Sequence, residues 1–124
     1  MLLAVGVAGD LAARCHAPPA LLGGGDADRE DLLVVLGASL TDQGRWKEAL
    51  ETLAAAAVIS KARHEREDGL AIIWAEQARA LAGQGRRAEA RALASVTLEV
   101  FGRFPGRPSS RAVAEAVMRG RRSR

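Results

Sequence analysis

The stretch DQGRWKEALETL, residues 42–53, has a counterpart in GQGRRAEARALA, residues 83–94, at an offset of 41 positions. The identities that align the two copies are Leu40/Leu81, Gln43/Gln84, Gly44/Gly85, Arg45/Arg86, Glu48/Glu89 and Ala49/Ala90. An Ala-rich composition explains single Ala or Glu matches, but it rarely gives a shared Gln-Gly-Arg turn between two segments of helical periodicity. The match therefore predicts one structural unit that is present twice.

Apolar residues recur at helical spacing on both sides of each Gln-Gly-Arg turn, and strand-like alternation is absent over any useful length. The apolar faces are Leu33, Leu36 and Leu40; Trp46, Ala49, Leu50, Leu53 and Ala57; Leu70, Ile73, Trp74, Ala78 and Leu81; and Ala90, Leu93, Ala94, Thr97, Leu98 and Phe101. Because the links at the two turns are so short, each pair of helices is expected to be antiparallel. Gly44 and Gly85 are expected to end the first helices, Gly44 with a positive φ.

These patterns predict an all-α fold of about six helices in a single domain, residues 1–124. The expected elements are a lone N-terminal helix at 1–15, a first hairpin at 28–62, a second hairpin at 67–103, a capping helix at 109–119 and a basic tail at 120–124. Asp26 or Asp28 is expected to cap the first hairpin, and Ser109 the last helix. The polar run SKARHERED, residues 60–68, is expected to separate the hairpins.

Composition favours one cytoplasmic helical domain. Apolar residues make up 48% of the chain and aromatic residues only 3%, which suits closely packed helices. The N-terminal run lacks a basic start and contains Asp10 and Arg14, which argues against a signal peptide and a membrane span. Cys15 is the only cysteine, so no disulfide can form within the chain. The excess of 16 Arg over 2 Lys suggests a GC-rich bacterial source.

The spacing of large and small residues in both copies is similar to a known repeat. Copy one has Leu33, Leu36, Gly37 and Leu40 before the turn and Ala49 and Leu53 after it; copy two has Trp74, Ala78, Leu81 and Ala90 in register, while Gln77, Ala94 and Gly102 depart from it. The chain resembles the tetratricopeptide repeat, W-x2-L-G-x2-Y followed by A-x3-F and P. The 41-residue period exceeds the usual 34, and longer-period members of that family extend at the point where SKARHERED lies.

The resemblance implies a right-handed α-solenoid whose concave face binds a peptide or partner protein. The groove residues that it implies are Asp31, Val34, Ala38, Thr41 and Asp42 from the first copy and Ile72, Ala75, Glu76, Arg79 and Ala82 from the second. Val34, Ala38 and Glu76 stand where the family's chaperone-tail clamp has basic residues or Asn, so a chaperone C-terminus is not the expected ligand. A helix or extended peptide with apolar anchors and an acidic group near Arg79 fits better. Self-association through exposed repeat ends is also expected.

No catalytic, cofactor or metal site is expected, and the chain is interpreted as a non-enzyme. Cys15 lies on the apolar face of its predicted helix, and the sequence around His64 lacks zinc-ligand spacing. The glycines at 23–25 lack the Lys and Ser/Thr of a phosphate-binding loop. Trp46 and Trp74 lie on apolar faces and are predicted to pack in the core.

Other functions stay open at this stage. The chain is alternatively a regulatory segment of a bacterial transcriptional regulator, or a small helical ligand-binding or catalytic protein with a pocket lined by Trp, Cys15 or His64. Residues 103–124 hold seven Arg and one Glu, and clustered Arg attracts phosphate backbones. Without interleaved aromatic residues, however, this tail is equally typical of a solubilising terminus, so nucleic acid is a secondary expectation.

Overall fold

The computed structural model describes residues 25–63 and 66–120. These ranges contain five helices and no strand: α1 (Asp26–Asp42), α2 (Trp46–Ala62), α3 (Glu67–Gly83), α4 (Arg87–Arg103) and α5 (Pro108–Met118). The all-α prediction is confirmed. The helix expected at 1–15 lies outside the described residues, as do residues 121–124 of the expected tail, so five helices are observed where about six were expected.

The helix boundaries repeat with the period of the sequence. The four helices α1 to α4 each have 17 residues, and both ends of α1 and α2 recur one period later as the ends of α3 and α4. The start of α5 at Pro108 lies one further period after the start of α3 at Glu67. Helix α5 therefore begins at the same interval after α3 as α3 begins after α1, which the sequence comparison did not indicate.

The two Gln-Gly-Arg turns have the same backbone hydrogen bonds. After α1, the N–H groups of Gly44 and Arg45 donate to the carbonyls of Thr41 and Leu40 at 3.0 and 2.9 Å. The corresponding groups after α3 make the same two bonds, each 3.0 Å long. This Schellman pattern requires a left-handed residue, and Gly44 has φ 78° and Gly85 φ 88°. The positive φ predicted for Gly44 is confirmed.

An ion pair between an arginine and a glutamate also follows each turn. Nε and Nη2 of Arg45 donate to the two carboxylate oxygens of Glu48, both at 2.7 Å, and Arg86 makes the same pair of 2.7 Å bonds to Glu89. The hydrogen bond from each arginine lowers the pKa of its glutamate. The shared Arg and Glu positions thus hold the start of the second helix against the turn in both copies.

Two helix starts differ from the predicted caps. Helix α1 begins at Asp26 with Gly25 as N-cap and no side-chain cap bond, so Asp28 lies within the first turn. Helix α5 begins at Pro108, so Ser109 lies inside it. Proline is preorganised for the first helical position, and acidic residues in a first turn are favoured by the helix dipole without acting as caps. The capping predictions were therefore wrong, and both helices start earlier than expected.

Both ends of the polar run at 60–68 are helical. Residues 60–62 complete α2, and Glu67 and Asp68 begin α3. Ser60 and Asp68 are buried, so tertiary packing extends each helix into the polar stretch. The end of α2 at Ala62 and the start of α3 at Glu67 are the bounds at which the first hairpin was expected to end and the second to begin.

Small residues lie where the helices cross. Ala49, Ala78 and Ala90 are fully buried. A Cβ placed on Gly37 in α1 would lie 2.6 Å from Cγ of Leu53 in α2, so a larger side chain at this crossing would force Leu53 to move. The role predicted for these small residues, which is to let helices approach closely, agrees with their positions.

Both tryptophans pack into the core. Trp46 packs with Leu40, Ala49 and Ala80, and Trp74 packs with Ala71, Val100 and Phe101. Trp46 also lies directly over Gly83, where a Cβ would overlap the indole. Trp46 at the start of α2 therefore joins the first hairpin to the end of α3. Within residues 25–63 and 66–120, no helix has both the length and the apolar content required to cross a bilayer.

Candidate functional site

The first helices of successive units lie side by side. Helix α3 contacts both α1 and α5, while α2 packs against both α1 and α3, and α4 packs against both α3 and α5. The sequence-predicted groove residues all lie on α1 and α3. The predicted groove residues therefore belong to the surface that α1, α3 and α5 form together.

Arg79 connects three other predicted groove residues, which are Asp42, Ala38 and Glu76. Its Nη1 donates to Oδ1 of Asp42 at 2.6 Å, its Nη2 to the carbonyl of Ala38 at 3.0 Å and its Nε to Oε1 of Glu76 at 3.0 Å. The Arg79 side chain is only 12% exposed. The guanidinium therefore bridges α3 to α1, and an acidic ligand near Arg79 would have to compete with two carboxylates of the chain itself.

A cleft lies on the N-terminal side of this bridge. It has a volume of about 440 Å³ and is lined by Glu30, Asp31, Val34, Val35, Gly69, Ile72 and Arg107. Three of these residues, Asp31, Val34 and Ile72, were predicted from the sequence. The buried Glu30 carboxylate accepts a 2.9 Å hydrogen bond from Arg63, so the exposed Asp31 is the carboxylate that this first cleft presents to a ligand.

A second, larger cleft of about 810 Å³ lies on the C-terminal side of the bridge. The predicted residues Thr41, Asp42, Arg79 and Ala82 line it, together with the turn glycines, Trp46, and Arg87, Ala90 and Arg91 of α4. Ala112, Val113, Ala116 and Val117 of α5 close the far side. Its charged side chains are three guanidiniums and one carboxylate, so this second cleft is basic on balance.

Two predicted residues are less available than expected. Ala75 is fully buried and packs with Ala78 and Ala90, because α4 and α5 cover that side of α3. Thr41 is also buried, and its hydroxyl donates to the carbonyl of Gly37 at 2.9 Å. Ala75 belongs to the core, and Thr41 contributes only an edge to the second cleft.

Sequence reasoning did not select the residues that α4, α5 and the loop between them add to the clefts. The resemblance maps a groove onto first helices only, so Arg87 and Arg91 at the start of α4 were not considered. The signal that the sequence does contain is the period, because one period after the start of α3 at Glu67 lies Pro108. The period alone would therefore have predicted that α5 lies in the same row as α1 and α3 and that Val113 and Ala116 line the groove.

Arg107 is held at the first cleft by a buried carboxylate. Asp68 in the first turn of α3 accepts hydrogen bonds from Arg66 at 3.1 and 2.8 Å and from Nε of Arg107 at 3.4 Å. The bonds from Arg66 are the main reason that the pKa of Asp68 is lowered, with a smaller contribution from Arg107. The Arg66 guanidinium also lies 4.9 Å from the ring centroid of Phe104. This cluster fixes the start of α3 to the loop before α5.

The clefts offer polar and apolar contact surface. Across residues 25–63 and 66–120, no group of three or more His, Cys, Asp or Glu side chains is arranged to hold a metal ion. The residues Cys15 and His64, which were considered as pocket residues, lie outside the described ranges. No family model matches the chain, and no match is found among curated proteins or solved structures.

Proposed function

We propose that this protein is a non-catalytic scaffold of the bacterial cytoplasm that binds a peptide segment of a partner protein on the row of α1, α3 and α5. The observation that carries the proposal is the pair of clefts on this row, which flank the Arg79 bridge and are lined by residues of successive repeat units. Such a surface suits an elongated ligand that lies across several helices better than a small compact one.

The tetratricopeptide assignment is part of this proposal. It is supported by the register of large and small residues around both turns, by the recurrence of helix boundaries at the period of the sequence, and by the start of α5 at the same interval. We accordingly assign the chain a right-handed solenoid arrangement with helix α5 as the beginning of a third unit. Peptide binding on the row of first helices is what the family resemblance implies.

Because the two clefts differ in charge, a peptide ligand is expected to bind in one orientation. Asp31 favours a basic group at the first cleft, and Arg87 and Arg91 favour an acidic group at the second. Val34 and Val113 offer apolar contacts on the two sides. Val34 of the first cleft and Thr41 of the second lie about 10 Å apart along α1 at a rise of about 1.5 Å per residue, so roughly three extended residues of a ligand would span this stretch of the helix.

A displayed library of random peptides tests the proposal. Peptides selected on the wild-type protein are expected to carry an acidic group that contacts the second cleft. They should bind the Arg91→Glu variant about tenfold more weakly in Kd, equal to about 1.4 kcal/mol. Lys61→Glu at the end of α2 is the control, because it makes the same charge change at an exposed position outside both clefts. Its Kd should equal that of the wild type.

A second pair of variants tests where the ligand binds, because each variant adds a bulky side chain either inside or outside the second cleft. Ala112 is exposed and lines the second cleft, whereas Ala92 is exposed on α4 outside it. Ala112→Trp should abolish binding of the selected peptides, and Ala92→Trp should leave it unchanged. Selected peptides that bind Ala112→Trp as tightly as the wild type would show that the clefts are not the binding surface.

A further inference from the structure

The second cleft lies where glycines replace the ion pair that joins α1 to α3. The residues one period after Asp42 and Arg79 are Gly83 and Gly120. Both glycines line the cleft. Because neither glycine has a side chain, these two positions cannot form the bridge that Arg79 and Asp42 form between the preceding first helices. The space between α3 and the end of α5 therefore stays open at this point.

The start of α4 presents two arginines to the same cleft. Arg87 and Arg91 lie one period after Trp46 and Leu50, which pack against a buried cluster contributed by α1, α2 and α3. In the second copy both side chains are exposed, and both line the cleft. A Cβ on Gly120 would lie 3.9 Å from Nη1 of Arg87, so this guanidinium reaches the far side of the cleft, just beyond α5. Two positions that are apolar in the first copy are thus cationic in the second.

Among the residues that the structure describes, no carboxylate pairs with Arg87 or Arg91. The neighbouring Arg86 pairs with Glu89 three residues later, whereas Arg87 and Arg91 have no carboxylate at a distance of three or four residues. Like charges four residues apart on a helix repel each other, and the positive end of the helix dipole adds to this repulsion. An anion bound between the two guanidiniums would offset both unfavourable interactions.

We propose that the acidic group of the peptide ligand at the second cleft is a phosphorylated serine or threonine, held by Arg87 and Arg91 together. A phosphate monoester carries about two negative charges at neutral pH, and its oxygens accept bidentate hydrogen bonds from guanidinium groups. Since Arg79 is already paired with Asp42, Arg87 and Arg91 are the two cations of the cleft that a ligand can neutralise. A dianion neutralises both, whereas a carboxylate leaves one positive charge. This inference rests on the proposed peptide-binding function and specifies the group that the peptide carries.

Three forms of each peptide selected on the wild-type protein test the proposal. They carry serine, glutamate or phosphoserine at the acidic position. Calorimetry at neutral pH should give the phosphoserine form a Kd about tenfold lower than that of the glutamate form, and the serine form should bind most weakly. At about pH 5, where the phosphate has lost close to one charge, the preference for phosphoserine over glutamate should be lost. No histidine is found among the described residues that line the cleft, so this loss reports the charge of the phosphate.

Two cleft variants and one control locate the phosphate. Arg87→Gln and Arg91→Gln should each bring the Kd of the phosphoserine form close to that of the glutamate form. Both side chains are exposed, so neither substitution is expected to prevent folding. Lys61→Gln also removes one positive charge, but at an exposed position outside both clefts, and it should retain the full preference for phosphoserine.

The other outcomes overturn the proposal. Equal Kd values for the phosphoserine and glutamate forms would mean that a carboxylate is the bound group, and the peptide-binding function would still stand. A library that yields no selective peptide would overturn the peptide-binding function and this inference together. If free O-phosphoserine competed as strongly as the phosphopeptide, the cleft would bind a small phosphate ester and not a segment of a partner protein. An undiminished preference in Arg87→Gln and Arg91→Gln would mean that the phosphate binds elsewhere.

Discussion

Arg79 in α3 donates a 2.6 Å hydrogen bond from Nη1 to Oδ1 of Asp42 in α1, although the two residues are 37 positions apart in the sequence. The same guanidinium holds the carbonyl of Ala38 and the carboxylate of Glu76. One side chain thus fixes the spacing of two first helices and separates the two clefts. Because Arg79 has this structural role, replacing it tests the fold and does not selectively test ligand binding.

The variant Arg79→Met is expected to destabilise the protein. It removes the cation but keeps an unbranched side chain, so Glu76 and the Ala38 carbonyl lose a partner in a largely desolvated position. The free energy of unfolding should fall by about 1–3 kcal/mol, measured by urea denaturation. Arg86→Met is the control, because Arg86 pairs with Glu89 in an exposed position. A loss no larger than that of the control would show that the bridge does not stabilise the α1–α3 contact.

Gly37 and Gly102 offer a matched pair of helical glycines. A methyl group at Gly37 would lie 2.6 Å from Leu53, whereas one at Gly102 has no atom within 4 Å. Gly37→Ala should therefore cost about 1–3 kcal/mol through overpacking. Gly102→Ala should raise the free energy of unfolding by up to about 1 kcal/mol, since alanine is the better helix former. Equal effects of the two substitutions in urea denaturation would contradict the close α1–α2 crossing.

Gly44→Val should destabilise the first hairpin through its backbone alone. With φ at 78°, a β-branched residue is strained, while the nearest side-chain atom to a new Cβ is an ordinary 3.8 Å away. We expect a loss of about 1–2 kcal/mol. Gly85→Val, at φ 88° with nothing within 4 Å, should lose a similar amount. An unchanged melting temperature for Gly44→Val would count against the hairpin turn.

The parts of the fold that local interactions determine could be predicted from the sequence. The turn at Gly44 depends on residues close to one another in the chain, and the apolar faces of α2 to α4 follow from periodicity. The buried packing of Trp46 and Trp74 also follows from those faces. The helix starts at Asp26 and Pro108 were placed less well, since several nearby residues can begin a helix and packing decides between them.

The candidate site was predictable only in part, because its shape depends on contacts between distant residues. Periodicity gives the face on which Arg79 lies, but it does not say that Asp42 and Ala38 engage the guanidinium across a helix interface. Likewise, Arg91 reaches the second cleft only because α4 starts beside the end of α3. The position of α5 in the row of α1 and α3 was predictable from the 41-residue period. Its sequence, however, lacks the identities that revealed the second copy.

Asp68 should make the stability of the protein depend on pH in the acid range. Its pKa is lowered in the folded protein, mainly by hydrogen bonds from Arg66. A depressed pKa means that the folded state binds the proton less tightly than the unfolded state. The contribution of Asp68 to stability is therefore complete above its unfolded pKa of about 3.9, and it is lost as the pH falls through the lower folded value.

Thermal melts of the wild type and Asp68→Asn from neutral pH to about pH 2 check this prediction. The variant should melt lower at neutral pH, because asparagine leaves Arg66 and Arg107 without a carboxylate. The difference in melting temperature should shrink below about pH 4 as the wild-type carboxylate is protonated. Glu48 and Glu89, whose pKa values are also lowered, are present in both proteins and cancel in the comparison. A difference that stays constant down to the lowest pH would mean that Asp68 acts through packing alone.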